Sequence, residues 1–342
     1  MKKAFLPIFA VLLLLLSACG NANNAANTGA GNAAGGNAAP ANNAASNGAS
    51  NADPTAGNAA ANNAASSDAP ASGTITYQSQ SGPVEVPANP QRVIVLSSYA
   101  GDLISLGVHI VGADSWSMKN PRFADALKDA KEVSDEDLEK IIELNPDLII
   151  GLDNVKNLDK LKEIAPTVVY TYGKVDYLTQ HLEIGKAVNK EKEAQAWVDD
   201  FKTRAAETGK EIKAKIGENA TVSVIESFDK QLYVYGNNWG RGTEVLYQAM
   251  GLKMPQKVID SALKPGYFAL SAEVLPQYAG DYVILSKFGD ADGSFQDTAT
   301  YKNIPAVKNG RVFEVNADAF YFNDADTLDY QLDFFKKSFL GQ

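Results

Sequence analysis

Cysteine is nearly absent: Cys19 is the only one in 342 residues. An intrachain disulfide is therefore excluded, although export without disulfides remains compatible with a bacterial surface protein. Histidine is almost as scarce. His109 and His181 are the only two, and neither sits in a His-Glu-x-x-His zinc pattern. No Gly-x-Ser-x-Gly nucleophile elbow occurs, and no phosphate-binding lysine follows a glycine-rich loop. Carboxylates are plentiful but nothing in the sequence pairs them, so an extracellular lipoprotein hydrolase is the weaker of the available readings and no enzyme is expected. Lys/Arg-rich clusters are also missing and the net charge is −10, which argues against nucleic acid as a partner. The longest apolar run, Ala4 to Leu16, is shorter than the roughly 20 residues a bilayer-spanning helix needs.

What that run does have is a charged start, Met1-Lys2-Lys3, and small residues at its end, the layout of a secretory signal. Leu16-Ser17-Ala18-Cys19 resembles the bacterial lipobox, which implies a signal peptide over 1–18 and a lipidated Cys19. Several acyl chains at that cysteine would hold the protein durably to the extracytoplasmic face of the cell membrane. The segment from Gly20 to Ser72 is almost entirely Asn, Ala, Gly and Ser, with only Asp53 and Asp68 charged. It has too little to bury to offset its ordering entropy, so 19–72 is expected to be a disordered tether, with a reach of roughly 40 Å.

From Gly73 onward the composition is globular and the length suffices for two lobes. Thr74–Tyr77 and Val84–Val86 flank Ser81-Gly82-Pro83 as a hairpin. Val93–Leu96, Val108–Val111, Leu148–Ile150 and Thr167–Tyr170 read as strands, with helices at Gly101–Leu106 and after Ser134, where Asp137 takes the capping-box position. Lys190 to Ile216 is the longest helical pattern, interrupted only by Gly209. Strands follow at Val222–Ile225, Leu232–Val234, Tyr282–Leu285 and Val312–Val315, with helices at Thr243–Met250 and Asp324–Phe339. The expected fold class is α/β: an N-terminal lobe over 73–189, a connecting helix over 190–216 and a C-terminal lobe over 217–342, each lobe with a mainly parallel sheet. Glu139 precedes Asp147, and Glu273 precedes Asp281, by the same eight positions before a strand, a weak echo between halves.

These segments carry a resemblance. Tyr99-Ala100-Gly101-Asp102-Leu103 with Leu106-Gly107-Val108, then Leu138-Glu139-Lys140-Ile141 leading to Asn145-Pro146-Asp147-Leu148, the long middle helix, and Tyr233-Val234-Tyr235-Gly236-Asn237-Asn238-Trp239-Gly240-Arg241-Gly242-Thr243-Glu244 resemble the iron-siderophore substrate-binding lipoproteins of ABC importers. The last segment is most similar to ferric-hydroxamate binders, which receive ferrichrome or ferrioxamine chelates. The resemblance implies a periplasmic-binding-protein-like fold of the helical-backbone class, no cofactor of its own, and a ligand whose iron is held by the chelator, with no protein side chain on the metal.

A ferric trihydroxamate is bulky and rimmed by oxygen acceptors. Aromatic walls can bury its body, and an arginine fork can donate to its oxygens. The resemblance assigns this work to Tyr233, Trp239 and Arg241; Tyr235 shares a strand face with Tyr233. Packing alone also accounts for a Trp and an Arg here, as a core anchor and a surface charge. Tyr99 and Trp116 follow strands, where open α/β sheets bind ligands, and Tyr321 and Phe322 precede the last helix. For these four, core packing and ligand contact fit equally. The resemblance further implies one permease-docking glutamate on each lobe, Glu139 and Glu244, with Glu273 the rival for the second. A helix dipole would favour glutamates at such positions without any partner. The implied partners are an Fe(III)-siderophore, a transmembrane ABC permease with a cytoplasmic ATPase, and the membrane through the lipid anchor; the chain is expected to be a monomer. A catecholate siderophore, haem, cobalamin or bare ferric ion are the alternative cargoes.

Overall fold

Alternation of short apolar runs with helical segments produces two five-stranded sheets that share one strand order. The computed structural model describes residues 73–289 and 291–341; the expected signal peptide, Cys19 and the expected tether lie outside the described residues. An antiparallel hairpin of β1 (Thr74–Ser79) and β2 (Gly82–Pro87) opens the described chain. The first sheet takes β3 (Val93–Val95), β4 (Ile110–Ala113), β5 (Lys131–Glu132), β6 (Leu148–Leu152) and β7 (Thr167–Tyr170) in the order β5-β4-β3-β6-β7, all parallel. The second takes β8 (Val222–Phe228), β9 (Gln231–Tyr235), β10 (Tyr267–Leu270), β11 (Tyr282–Lys287) and β12 (Val312–Asn316) in the order β10-β9-β8-β11-β12. There β8, β11 and β12 are parallel, while β9 runs antiparallel to both β8 and β10. The difference is local: Asp229 and Lys230 turn β8 straight back into β9, and Asp229 adopts a left-handed φ of 54°, so no crossover helix is available to make that pair parallel. The switch point of each sheet, β3/β6 in the first and β8/β11 in the second, is where α/β sheets open a crevice at the strand ends.

The helices α1 (Ala100–Ser105), α2 (Ser115–Lys119), α3 (Leu138–Glu143), α4 (Leu158–Ile164), α5 (Tyr177–Ala187) and α6 (Glu191–Ile216) follow in order. Helix α6 buries Ala194, Val198, Phe201, Ala205, Thr208, Gly209 and Ile212 along one stripe, the amphipathic pattern that its sequence carries. Gly209 stands in that stripe for a reason of space: a Cβ there would lie 2.3 Å from the carbonyl oxygen of Met250. The glycine lets the long helix pass directly over the second lobe. Among the described residues no helix is long and apolar enough to cross a membrane.

Three expectations shift. The capping residue Asp137 accepts from both the backbone N–H and the hydroxyl of Ser134 at 2.8 Å, yet the helix starts only at Leu138 because 135–136 form a turn first. Thr243 opens the expected helix but stands just outside it. Its hydroxyl turns back to the Gly240 carbonyl at 2.8 Å, and the helix it precedes, Glu244–Ala249, is π-wound. Finally, α6 is not the only link between the lobes. The C-terminal helix, Ala325–Leu340, packs on both α6 and α1. The segment leading into it inserts Phe322 into the first lobe's core.

Candidate functional site

Glu226 stands near the end of β8 in an otherwise uncharged strand, and its side chain is fully buried. A carboxylate there needs partners, and it has four donors. Arg241 reaches it through Nε, 3.2 Å from each oxygen, and through Nη2 at 3.2 Å. The Tyr235 hydroxyl donates at 2.8 Å and the Ser286 hydroxyl, from the neighbouring β11, at 2.9 Å. Arg241 Nη1 donates to the Trp239 carbonyl at 3.0 Å. Both faces of the guanidinium are covered, by Tyr321 at 4.0 Å and Tyr235 at 4.7 Å. Five N–H groups less the three so engaged leave two on the outer edge for a ligand. Burial alone would lower the Arg241 pKa, but the Glu226 carboxylate and Tyr235 hold it above its ordinary value. Burial pushes the Tyr235 phenol up as well, so that hydroxyl remains a donor.

Around this fork lies a concavity of about 280 Å³ lined by Trp116, Phe228, Tyr233, Tyr267 and Trp239 besides Glu226, Tyr235, Arg241 and Tyr321. Each wall has a sequence cause. Tyr233 and Tyr235 are two apart on β9, and Tyr267 on β10 stands directly across from Tyr235 in register. Trp239 leans on Tyr267 at 5.6 Å. Trp116 arrives from the first lobe on α2. The Asp114 carboxylate caps that helix by accepting from the Trp116 and Ser117 N–H groups at 2.9 and 3.1 Å. The indole stacks on Tyr321 at 4.8 Å and meets Phe228 and Phe288 from the second lobe. A second inter-lobe contact, Tyr172 edge-on to Trp239 at 5.6 Å, stands beside it. Such a pocket offers aromatic area, one oriented cation and no concentrated charge. Among the described residues no cluster of three or more His, Cys, Asp or Glu side chains is placed to hold a metal ion.

Tyr233, Tyr235, Trp239, Arg241, Trp116 and Tyr321 thus come together. Two expected contacts do not join them. Phe322 is 5% exposed and stacks on Phe123 at 6.0 Å in the first lobe's core, because the chain crosses back between the lobes there. Tyr99 is buried edge-on to Tyr170 at 5.4 Å. Its hydroxyl has no protein partner, and the residue lines a different, polar hollow with Asp102, Gln180, Glu244 and Asn323. Glu244 is the third correction. It was expected on an exposed docking face, but it is 1% exposed and accepts from Gly240 N–H at 3.0 Å and Asn323 Nδ2 at 2.9 Å. Burial raises its pKa. Glu139 and Glu273 are exposed. Glu226, Tyr172, Tyr267, Phe228 and Phe288 escaped the sequence reading. Only Glu226 left a signal, as a lone charge within Val222-Ser223-Val224-Ile225-Glu226.

Several known binding proteins are similar to this chain. The iron(3+)-hydroxamate-binding protein YxeB of Bacillus subtilis is 38% identical over 267 residues, 75% of this chain and 83% of the relative. FhuD, another iron(3+)-hydroxamate-binding protein of that organism, is 35% identical over 272 residues, covering 78% and 86%. The solved structure of FhuD2 from Staphylococcus aureus with bound ferrioxamine B superposes with a TM-score of 0.70 at 39% identity, covering 74% of this chain and 99% of that one. Residues 93–319 match the family model described as periplasmic binding protein. With that match and relatives above one third identity, the chain belongs to the periplasmic-binding-protein family.

Proposed function

We propose that this protein captures a ferric hydroxamate siderophore and delivers it to the permease of an ABC importer. The observation that carries the reading is the Arg241 fork. It is fixed by Glu226, sandwiched between Tyr235 and Tyr321, and presented with two spare donors inside an aromatic cleft. A chelate rimmed by acceptor oxygens and clothed in methylenes matches that combination. The iron travels as cargo within its chelator, and the protein binds without chemistry. The names of the hydroxamate-binding relatives support the same ligand class.

Docking is assigned to Glu139 and Glu273. Both are exposed, and each precedes the strand, β6 or β11, that occupies the same place in its sheet. Two carboxylates at matched positions on two lobes suit a two-fold array of cations on a permease. The cytoplasmic ATPase of that permease would drive uptake. Cys19 carries the lipid anchor to the outer face of the membrane, the lobes divide at 189/190 and 216/217, and the chain works as a monomer.

The test is a tryptophan-fluorescence titration of the full chain in detergent with ferrichrome, ferrioxamine, a catecholate chelate, haem, cobalamin and ferric citrate, with Arg241→Ala alongside. Quenching at sub-micromolar hydroxamate, weakened in the variant, is expected. Tight binding of another ligand instead would discard the hydroxamate class. In cells, Glu139→Ala with Glu273→Ala should abolish uptake at unchanged affinity; normal uptake would remove the docking assignment.

A further inference from the structure

The turn that presents Trp239 and Arg241 is conformationally costly. Gly240, Arg241 and Gly242 have φ of 69°, 57° and 82° in succession, and Arg241 carries a Cβ that disfavours this left-handed region. Such a run persists only where surrounding contacts over-determine it. Glu244 supplies those contacts. Its Oε1 accepts from the Gly240 N–H inside the turn and from Asn323 Nδ2, two residues after Tyr321. Its Oε2 lies 2.9 Å from the Thr243 hydroxyl, which in turn accepts from the Trp239 N–H at 3.1 Å. The two segments also touch directly: a Cβ on Gly240 would fall 2.3 Å from the Tyr321 carbonyl oxygen.

We propose that Glu244 is a positioning residue for ligand capture: its carboxyl group ties the Trp239–Arg241 turn to the Tyr321–Asn323 segment and so sets the gap between indole, guanidinium and phenol. The inference rests on the chelate-binding reading of the cleft and adds a residue outside the lining of that cleft. Glutamine at 244 keeps the tie. Its Oε1 accepts as before, and its Nε2 donates to the Thr243 hydroxyl, which then donates to the Gly240 carbonyl at 2.8 Å. Alanine cuts both links at once.

The experiment titrates the full chain in detergent with ferrioxamine and ferrichrome for wild type, Glu244→Ala, Glu244→Gln and Asn323→Ala, at a temperature where each is folded by circular dichroism. Glu244→Ala should weaken binding at least tenfold, about 1.4 kcal/mol, and shift the tryptophan emission to the red as Trp239 loosens. Glu244→Gln should stay within about twofold of wild type, the spread that a few tenths of a kcal/mol gives. Positioning acts in part through Arg241, so in an Arg241→Ala background Glu244→Ala should add less than its full cost, whereas a general structural role would add all of it. Wild-type affinity in Glu244→Ala, failure of Gln to rescue, or full additivity with Arg241→Ala would overturn the inference. Should Glu244→Ala not fold, Asn323→Ala carries the test: it should weaken binding several-fold, and unchanged affinity would overturn the tie. If wild type itself bound no hydroxamate chelate, the cleft's function would fail first, and the red shift would still report on the turn.

Discussion

Replacing Glu226 by glutamine should expose how strongly the cleft depends on one buried charge. The substitution keeps the volume but strips Arg241 of the carboxylate against which three of its contacts are made. Leaving one member of a buried pair uncompensated costs about 3–5 kcal/mol. Arg241 keeps its two aromatic faces at 4.0 and 4.7 Å in both proteins, so they do not enter the difference. The expected loss is about 3–5 kcal/mol, or a fall in Tm of about 5–10 °C for a chain of this size. Differential scanning calorimetry together with urea unfolding measures it. The companion variant Glu226→Leu/Arg241→Met removes both charges, so it should regain part of the stability, short of the cost of the Tyr235 and Ser286 hydroxyls left without that acceptor, while losing the chelate. A Glu226→Gln protein melting within about 2 °C of wild type, on the order of 1 kcal/mol or less, would refute the idea that this pair is an energetically coupled unit.

Two further outcomes follow from burial. Phe322→Ala empties a core position beside Phe123 and should cost about 3–5 kcal/mol. Chelate affinity, measured where the variant is folded, should change less than threefold, on the order of 0.6 kcal/mol; a larger loss would return Phe322 to the binding surface. Asp324 caps the C-terminal helix through Thr327 N–H at 2.9 Å, while its other oxygen is buried without a partner. Burial, then the neighbouring Asp102, push its pKa well up. A carboxyl raised in the folded state contributes stability that is present below its unfolded pKa and lost as pH rises through the folded one. Asp324→Asn keeps the cap and removes the titration. It should gain on the order of 1 kcal/mol above that folded value and nothing near pH 4. Equal urea midpoints for the two proteins at every pH would contradict this.

Periodicity made the regular elements legible. The apolar stripe of α6, the alternation Tyr233-Val234-Tyr235 and the run Thr167–Tyr170 each carry their own geometry, so Glu191–Ile216, β9 and β7 emerge close to where the pattern puts them. Trp239 and Arg241 were legible through the resemblance that their glycine-rich segment carries, with no period to mark them. Short elements with mixed composition, such as α2 and β10, gave no period to read.

The exposure of Glu244 and of Phe322 could not be read in the same way. Glu244 follows a glycine-rich turn and reads like an acid at a helix start. Its burial comes from Asn323, 79 positions away in sequence. Phe322 and Tyr321 are neighbours with equal claims on the ligand, and they part only because the chain crosses between the lobes at that point, one ring entering each environment.

The sequence by itself determined the absence of disulfides, the α/β alternation, the long connecting helix, the local aromatic and guanidinium chemistry of Trp239 and Arg241, and the candidate anchor at Cys19. Those are properties of composition and of contacts within a few residues, which a linear pattern records. Only the tertiary structure decided that Glu226 holds Arg241, that Trp116 and Tyr321 meet across two lobes, and that Glu244 faces inward while Glu273 faces out. Each depends on the packing of segments far apart in the chain, where burial and pairing are set jointly and neither partner's neighbourhood in sequence contains the other.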